Sequence, residues 1–545
     1  MVIGGVAGGA SAAARLRRLD EQAEIVVFER SGHVSFANCG LPYHLSGAIA
    51  ERRSLLLQSP ESLRANFDLD VRVLHEVTGI DRDARVVTGT DLGAGEPFRL
   101  HYDALVLSPG ASPIRPPIPG AERGLTLRDV EDLDRIGAAV AGARSAVIIG
   151  GGFVGLEVAE NLCERGLAVT IVELAPQVLA PIDAEMVTYV HDELVAHGIV
   201  LRLGHSVTEL TATAAVLDDG ESIDADLVIF AIGVRPETTL ARTAGLEIGP
   251  RGGIVVDDTL RTSDPHIWAV GDATEKADSV LGGAALVPLA NLANRQGRRA
   301  ADAIAGRPQP FAAAHSAAVV RVFGLTVAVT GANERRLRAA GHDVLALHTH
   351  ANSHAGYFPG AETMHLKLLV DPADGRILGA QGVGRDGIDK RIDVISTAMS
   401  GGITAPQLAD LELAYAPMYG SAKDPVNMLG YLAENVLLDG EPVVAWHELA
   451  DRQRDGWLVV DVRQPSEVAD GAIDGAVNIP LDQLRGRLGE LAGRRVVCAC
   501  AVGQRGHAAT RLLRQHGIEA ANLIGGYRTL EAATRATVPA VAVTA

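Results

Sequence analysis

Twice in this chain a strand runs into a glycine-rich turn, opens a helix, and is followed by a strand that ends in an acid. No other feature constrains the fold so strongly. In the first copy Val2-Ile3 leads into Gly4-Gly5-Val6-Ala7-Gly8-Gly9, a helix is expected over Ala10 to Leu19, and the strand Glu24 to Phe28 closes on Glu29-Arg30. In the second, Ser145 to Ile149 leads into Gly150-Gly151-Gly152-Phe153-Val154-Gly155, a helix is expected over Leu156 to Arg165, and the strand Ala168 to Val172 closes on Glu173. Such a unit turns the free N–H groups of a helix N-terminus toward a pyrophosphate. Small residues let the phosphates approach, and the terminal acid accepts from ribose hydroxyls. The candidate nucleotide-binding residues are therefore Gly4, Gly5, Ala7, Gly8, Glu29 and Arg30 in one copy and Gly150, Gly152, Gly155 and Glu173 in the other. Val6 stands where the pattern usually has its second glycine. Glu173 would repel a 2′-phosphate, and Leu174-Ala175-Pro176-Gln177 offers no arginine to hold one, so NADH is expected over NADPH.

Two such units imply two nucleotides, most economically a flavin that stays and a nicotinamide that visits. The segment Thr262 to Asp272, ending Ala269-Val270-Gly271-Asp272, resembles the flavoprotein disulfide reductases, and that resemblance implies that Asp272 holds the ribityl chain of FAD. Leu105 to Gly110 and Phe230 to Gly233 read as strand ends where the chain crosses between two nucleotide domains, which adds Gly233 to the cofactor set. From about residue 316 strands are expected at Ala318–Val322, Thr326–Thr330, Asp343–Leu347, Met364–Val370 and Ile377–Val383, with helices near Asp389–Ser400 and Ala405–Ala409. This stretch resembles the α+β dimerisation domain of the same enzymes. The expected architecture is α/β: a discontinuous FAD-binding domain (1–110 and 235–315), an NADH-binding domain (111–234), a dimerisation domain (316–436) and a separate α/β unit (440–545).

Composition narrows the function classes. At 545 residues the chain exceeds one core, and its formal charge of −18 disfavours a general nucleic-acid or membrane-surface binder. The longest apolar runs are strand-length, and Met1-Val2-Ile3 runs into glycines without a basic start or a cleavage site, so a cytoplasmic protein is expected. Its four cysteines, Cys39, Cys163, Cys498 and Cys500, make no disulfide framework, and a lone C-x-C pair does not complete a structural zinc site; no metal is expected. Cys163 reads as core packing on a helix.

Cys39 lies in Ser35-Phe36-Ala37-Asn38-Cys39-Gly40-Leu41-Pro42-Tyr43, with no second cysteine nearby. At the start of a helix it is expected to gain thiolate character from the N-terminal dipole. Its oxidised partner must be an outside thiol, a persulfide sulfur or an oxygen atom. Together with Gly4 to Ala14, the second glycine motif and Ala416-Pro417-Met418-Tyr419-Gly420-Ser421-Ala422-Lys423-Asp424-Pro425-Val426-Asn427, this segment resembles coenzyme A-disulfide reductase over nearly all of 1–435. The nearest form is the rhodanese fusion, also described as NADH-dependent persulfide reductase. The resemblance implies a homodimer, coenzyme A as substrate, and a cysteine that cycles between thiol and mixed disulfide. It also implies partner-subunit tyrosines near the sulfur, at positions matching Tyr357 and either Tyr415 or Tyr419. Phe358 takes the place of a second adjacent tyrosine. Arg15, Arg18, Ser35 and Asn38 match positions that contact coenzyme A, whose phosphates suit guanidinium groups.

In the tail, Leu458 to Arg463 ends a strand in Asp-x-Arg, and Cys500-Ala501-Val502-Gly503-Gln504-Arg505-Gly506 follows the strand Arg495 to Cys498, a pattern resembling rhodanese. Such a loop directs backbone N–H groups at a thiolate or persulfide. Cys500 is the expected sulfur carrier, Arg505 its cation, and Cys498 either packing or a resolving thiol. With no Ala/Gly linker, the tail is expected to dock on the reductase. Two rival readings share these features: an NADH oxidase or peroxidase with a sulfenic acid at Cys39, and a non-catalytic sulfur carrier or redox sensor.

Overall fold

The computed structural model describes residues 1–536; the end of the expected 440–545 unit, residues 537–545, lies outside the described residues. The chain divides into two compact units. One comprises Met1–Val178 and His197–Ser316, the other Leu179–Ala196 and the chain from Ala317 onward. The segment Leu179–Ala196, within the stretch 111–234, groups with the second unit through the helix Ala184–Ala196.

The first unit holds two parallel sheets. One runs Ile267–Ala269, Leu105–Leu107, Val2–Ile3, Val26–Phe28, Asp70–Arg72 in spatial order, and the other runs Val200–Leu203, Ala168–Glu173, Ser145–Ile149, Leu227–Phe230. Side chains alternate across a strand, and both faces of the first sheet are covered. Val2, Val27 and Val106 pack on one side with Ala12, Ala13 and Ala300, while Ile3, Val26, Phe28, Leu105 and Leu107 pack on the other. This is why these strands read as unbroken apolar runs. The helices begin earlier than the apolar pattern alone indicates, at Ala7 and Phe153, because the glycine turns are themselves their first turns. Ala111–Pro113 and Val234–Pro236 pair antiparallel just after the expected crossing points.

In the second unit an antiparallel sheet runs Ala318–Val322, Leu325–Gly331, Ile377–Gly384, Thr363–Val370, Leu345–Asn352. The helices Ile388–Gly401 and Pro425–Leu437 bury Ile392, Ile395, Val426 and Leu429 against Leu366, Leu368 and Ala380 of this sheet. The expected helix at Ala405–Ala409 is a 3₁₀ turn, Pro406–Asp410. Beyond it stands a five-stranded parallel sheet in the order Val443–Val444, Glu519–Leu523, Arg495–Ala499, Leu458–Asp461, Val477–Asn478. The tail docks as expected within this unit. Ile524 joins the core of the antiparallel sheet, the hydroxyl of Thr188 donates to Ala532 O at 3.0 Å, and His350 Nε2 shares a hydrogen bond with Thr529 Oγ1 at 2.8 Å. Among the described residues no helix is long and apolar enough to cross a membrane.

Candidate active site

The two glycine motifs build the same cradle twice. Gly4 and Gly150 adopt φ of +95° and +109°, and each donates its N–H to the preceding residue of the acid-ending strand, at Phe28 O and Val172 O, 2.8 Å in both cases. A side chain at either would collide with the neighbouring strand end, at Ser108 O (2.1 Å) or Ala231 O (2.4 Å). Five residues on, a Cβ at Gly9 or Gly155 would strike the carbonyl of that first glycine, at 1.8 and 2.1 Å, so helix and strand touch backbone to backbone. Gly9 is thus the counterpart of Gly155, as the placing of Val6 at the motif's second glycine requires. Glu29 accepts from the N–H groups of Gly5 and Ser31, and Glu173 accepts from those of Gly151 and Ala175, at 2.7–2.9 Å. Neither the 13-residue helix nor the 12-residue one has a side-chain cap at its N-terminus, and a Cβ at Gly152 would meet nothing within 4 Å. The uncapped N–H groups and the open space before them fit the pyrophosphate of a dinucleotide in each cradle. Arg30 lies 3.6 Å from Glu76 and is half exposed. Gly233 holds φ of +106° at the crossing.

Cys39 is a free, exposed thiol in the 3₁₀ turn Asn38–Gly40, directly before the short helix Leu41–Ser46. The expected thiolate character is not what this geometry supplies. Enclosure by protein, followed by the carboxylates of Glu157 and Asp272, pushes the Cys39 thiol above its ordinary value. A six-residue helix offers too little dipole to offset two negative fields. Glu157 was not legible as a site residue. It sits on the second glycine helix, accepts a hydrogen bond from the Tyr43 hydroxyl at 3.1 Å, and is itself pushed up by burial. The only sequence signal is its place two residues after Gly155, with Tyr43 one helical turn after Cys39.

Asp272 lies in the turn Gly271–Ala273, where burial raises its carboxyl against the opposing fields of Lys276 and Arg128. Arg128 is anchored on Ser112 Oγ and Pro109 O, each at 3.1 Å, and its own carbonyl accepts from Asn38 Nδ2 at 3.0 Å. Of the residues expected to meet coenzyme A, Arg15 is engaged by Asp302 at 2.6 Å, and Arg18 lies exposed over the Phe67 ring. Ser35 holds φ of +48° and donates its N–H to Gly5 O. Cys163 is partly exposed, rather than packed in a core, and donates to His197 O.

In the second unit Tyr357 and Tyr415 share a hydroxyl–hydroxyl bond at 3.0 Å although they are 77% and 47% exposed. Tyr419, Met418 and Phe358 are exposed as well. Asp183, Glu185 and Glu334 cluster closely, but Lys367 Nζ lies 2.5–2.9 Å from all three, so an ammonium already fills the position a cation would take.

Cys500 is buried at the head of its loop, ahead of the helix Gln504–Gln515; Arg505, whose charge interacts with it, donates to Glu467 through two contacts of 2.6 and 2.7 Å. Gly526 packs against the loop's N–H groups, and the N–H groups of Tyr527 and Arg528 donate to Cys500 O and Ala501 O. This brace was not anticipated; its signal is the glycine pair after the strand ending at Leu523. Burial pushes Cys498 to about 12, which fits packing and not a resolving thiol.

Comparison with known proteins finds the same three regions along the chain. Residues 1–298 match the pyridine nucleotide-disulphide oxidoreductase family, 317–424 its dimerisation domain, and 445–533 the rhodanese-like domain. The coenzyme A disulfide reductase of Staphylococcus haemolyticus is 34% identical over 439 residues, covering 80% of this chain and 99% of that protein. The crystal structure of reduced Bacillus anthracis CoADR-RHD is 46% identical with a TM-score of 0.96, covering 98% of each chain. A NAD-dependent persulfide reductase from A. fulgidus is 36% identical with a TM-score of 0.90, covering 97% of this chain and 99% of that one. With the first match alone spanning more than half of its 545 residues, the chain belongs to the pyridine nucleotide-disulphide oxidoreductase family and carries a rhodanese-like domain at its C-terminal end.

Proposed function

We propose that this protein is an FAD-dependent, NADH-oxidising homodimeric reductase that cleaves coenzyme A disulfide and coenzyme A persulfide at Cys39, with sulfane sulfur carried on Cys500. The observation that carries the reading is that Cys39 is an exposed free thiol with no cysteine partner, so its disulfide partner must come from outside the chain. The likeness to the coenzyme A disulfide reductase and to the persulfide reductase supports the substrate class. Gly4, Gly5, Ala7, Gly9, Glu29 and Asp272 would hold FAD, and Gly150, Gly152, Gly155 and Glu173 would hold NADH. Bound FAD would supply sulfur with the two electrons taken from NADH.

The chain's own part is sulfur chemistry. The Cys39 thiolate attacks coenzyme A disulfide, forms a Cys39–S–S–CoA bond and expels one coenzyme A thiolate. With coenzyme A persulfide the same attack forms the same mixed disulfide and expels hydrosulfide. Two electrons and one proton then return Cys39 as thiolate and release coenzyme A as thiol. Upstream, the Cys500 thiolate takes the terminal sulfur of a persulfide R–S–SH, leaving R–S⁻, and passes it to the coenzyme A thiolate. Tyr357 and Tyr415 of the partner subunit would donate to the departing thiolate, which accounts for two hydrogen-bonded tyrosines left exposed in a single chain. Support for NADH over NADPH is the commitment of Glu173 to backbone N–H groups, while the nearby Arg202 is bound bidentately by Glu221. Steady-state NADH oxidation measured with coenzyme A disulfide, coenzyme A persulfide, polysulfide and oxygen tests the reading. Turnover on oxygen alone would replace it with an oxidase.

A further inference from the structure

Lys276 is 6% exposed, and its ammonium makes no ion pair within 4 Å among the described residues. It donates instead to neutral oxygens: Gly271 O at 2.8 Å, Thr274 O at 3.0 Å and Thr274 Oγ1 at 3.3 Å. All three belong to the turn that carries Asp272. Thr274 Oγ1 also donates to Gly271 O, and Gln296, from the helix Ala290–Ile304, accepts the Gly271 N–H at 2.8 Å. Burying an ammonium is unfavourable unless its charge is compensated. The adjacent Glu275 is committed elsewhere, accepting from the N–H groups of Arg251 and Gly253. Asp272 is the one carboxylate whose field acts on Lys276.

We propose that Lys276 is a positioning residue of the flavin site: its buried ammonium clamps the Gly271–Thr274 turn and supplies the counter-charge to Asp272, so that the ribityl hydroxyls meet a fixed carboxylate. This rests on the reading of Asp272 as the flavin-holding acid. Burial lowers Lys276 to about 8, so the charge that holds the turn is present at neutral pH and lost in mild alkali.

The test is FAD binding to full-length apoprotein, followed by flavin fluorescence at pH 7 and pH 9.5, for wild type, Lys276→Met, Lys276→Arg and Asp272→Asn. Far-UV circular dichroism of each apoprotein establishes that it is folded. Wild type should bind FAD about tenfold more weakly at pH 9.5, the change expected for loss of one coupled charge. Lys276→Met should be about tenfold weaker at pH 7 and flat with pH, while Lys276→Arg should bind as wild type at pH 7 and keep that affinity at pH 9.5. A folded Lys276→Met with wild-type affinity and wild-type pH dependence overturns the proposal while Asp272→Asn still binds weakly. If Asp272→Asn binds as tightly as wild type, the reading of Asp272 itself fails.

Discussion

At the scale of single residues, what the sequence displayed best was backbone. Gly4, Gly150 and Gly155 stand out because a turn against a neighbouring carbonyl admits no side chain, and Glu29 and Glu173 because an acid must close each cradle. What it hid were groups that act across elements. Glu157 and Lys276 look like ordinary helix and strand residues, and only the fold brings their charges toward Cys39 and Asp272. The thiolate character expected from sequence failed for that reason. Removing the Glu157 charge should therefore help the thiolate: in flavin-free protein, the pH midpoint of Cys39 alkylation by iodoacetamide should move down in Glu157→Gln, and an unchanged midpoint would remove Glu157 from the site. Cys500→Ser should abolish persulfide transfer while leaving direct reduction of coenzyme A disulfide nearly intact, since Cys500 lies in its own braced loop. Mass spectrometry after incubation with a sulfane donor checks this, with the added sulfur expected on the peptide of Cys500 and attributed to it by its absence from Cys500→Ser.

Among elements, strands with two covered faces were legible almost to the residue, as Ile377–Gly384 and Thr363–Val370 show. Leu345–Asn352 was cut short at Leu347 because its second half, His348-Thr349-His350-Ala351-Asn352, is polar. His348, Thr349 and His350 are buried by partners that periodicity cannot reveal. His348 meets Glu185 at 3.0 Å, and His350 bridges His365 at 2.7 Å and Thr529 at 2.8 Å. His365 stacks on Tyr189, and burial with the nearby Arg528 lowers it from 6.5 to about 3; His350 is lowered too. Both imidazoles bind a proton more readily in the unfolded chain. Their stabilisation is therefore complete above pH 6.5 and is lost as pH falls below it, for His365 over the range from 6.5 to about 3 and by up to about 1.4 kcal/mol per pH unit. Thermal melts should fall accordingly between pH 7 and pH 4.5 and fall less in His365→Phe, which keeps the stack; equal slopes would mean the pair is not the titrating element. Lys367→Met should cost about 3–5 kcal/mol by leaving two buried carboxylates and a partly buried one without their cation, read as a loss in denaturant midpoint.

Across the whole molecule, the duplicated nucleotide cradle, the antiparallel sheet and the rhodanese-like sheet follow one another along the chain much as composition and motif order suggest. The grouping of the helix Ala184–Ala196 with the later sheets was not visible, because it depends on Thr188 and Glu185 finding partners far along the chain. If the exposed Tyr357–Tyr415 pair serves a second subunit, Tyr357→Phe with Tyr415→Phe should leave FAD reduction by NADH unchanged and lower kcat on coenzyme A disulfide by about tenfold or more, the scale of a lost proton donor. Sedimentation at working concentration should give a dimer. The most direct measurement of the central claim is anaerobic NADH oxidation with coenzyme A disulfide, scored together with the coenzyme A thiol released, in wild type and Cys39→Ser. Wild type should release two thiols per NADH consumed, and Cys39→Ser should still pass electrons from NADH to FAD yet release none. Thiol release by Cys39→Ser at the wild-type rate would contradict the assignment of that cysteine.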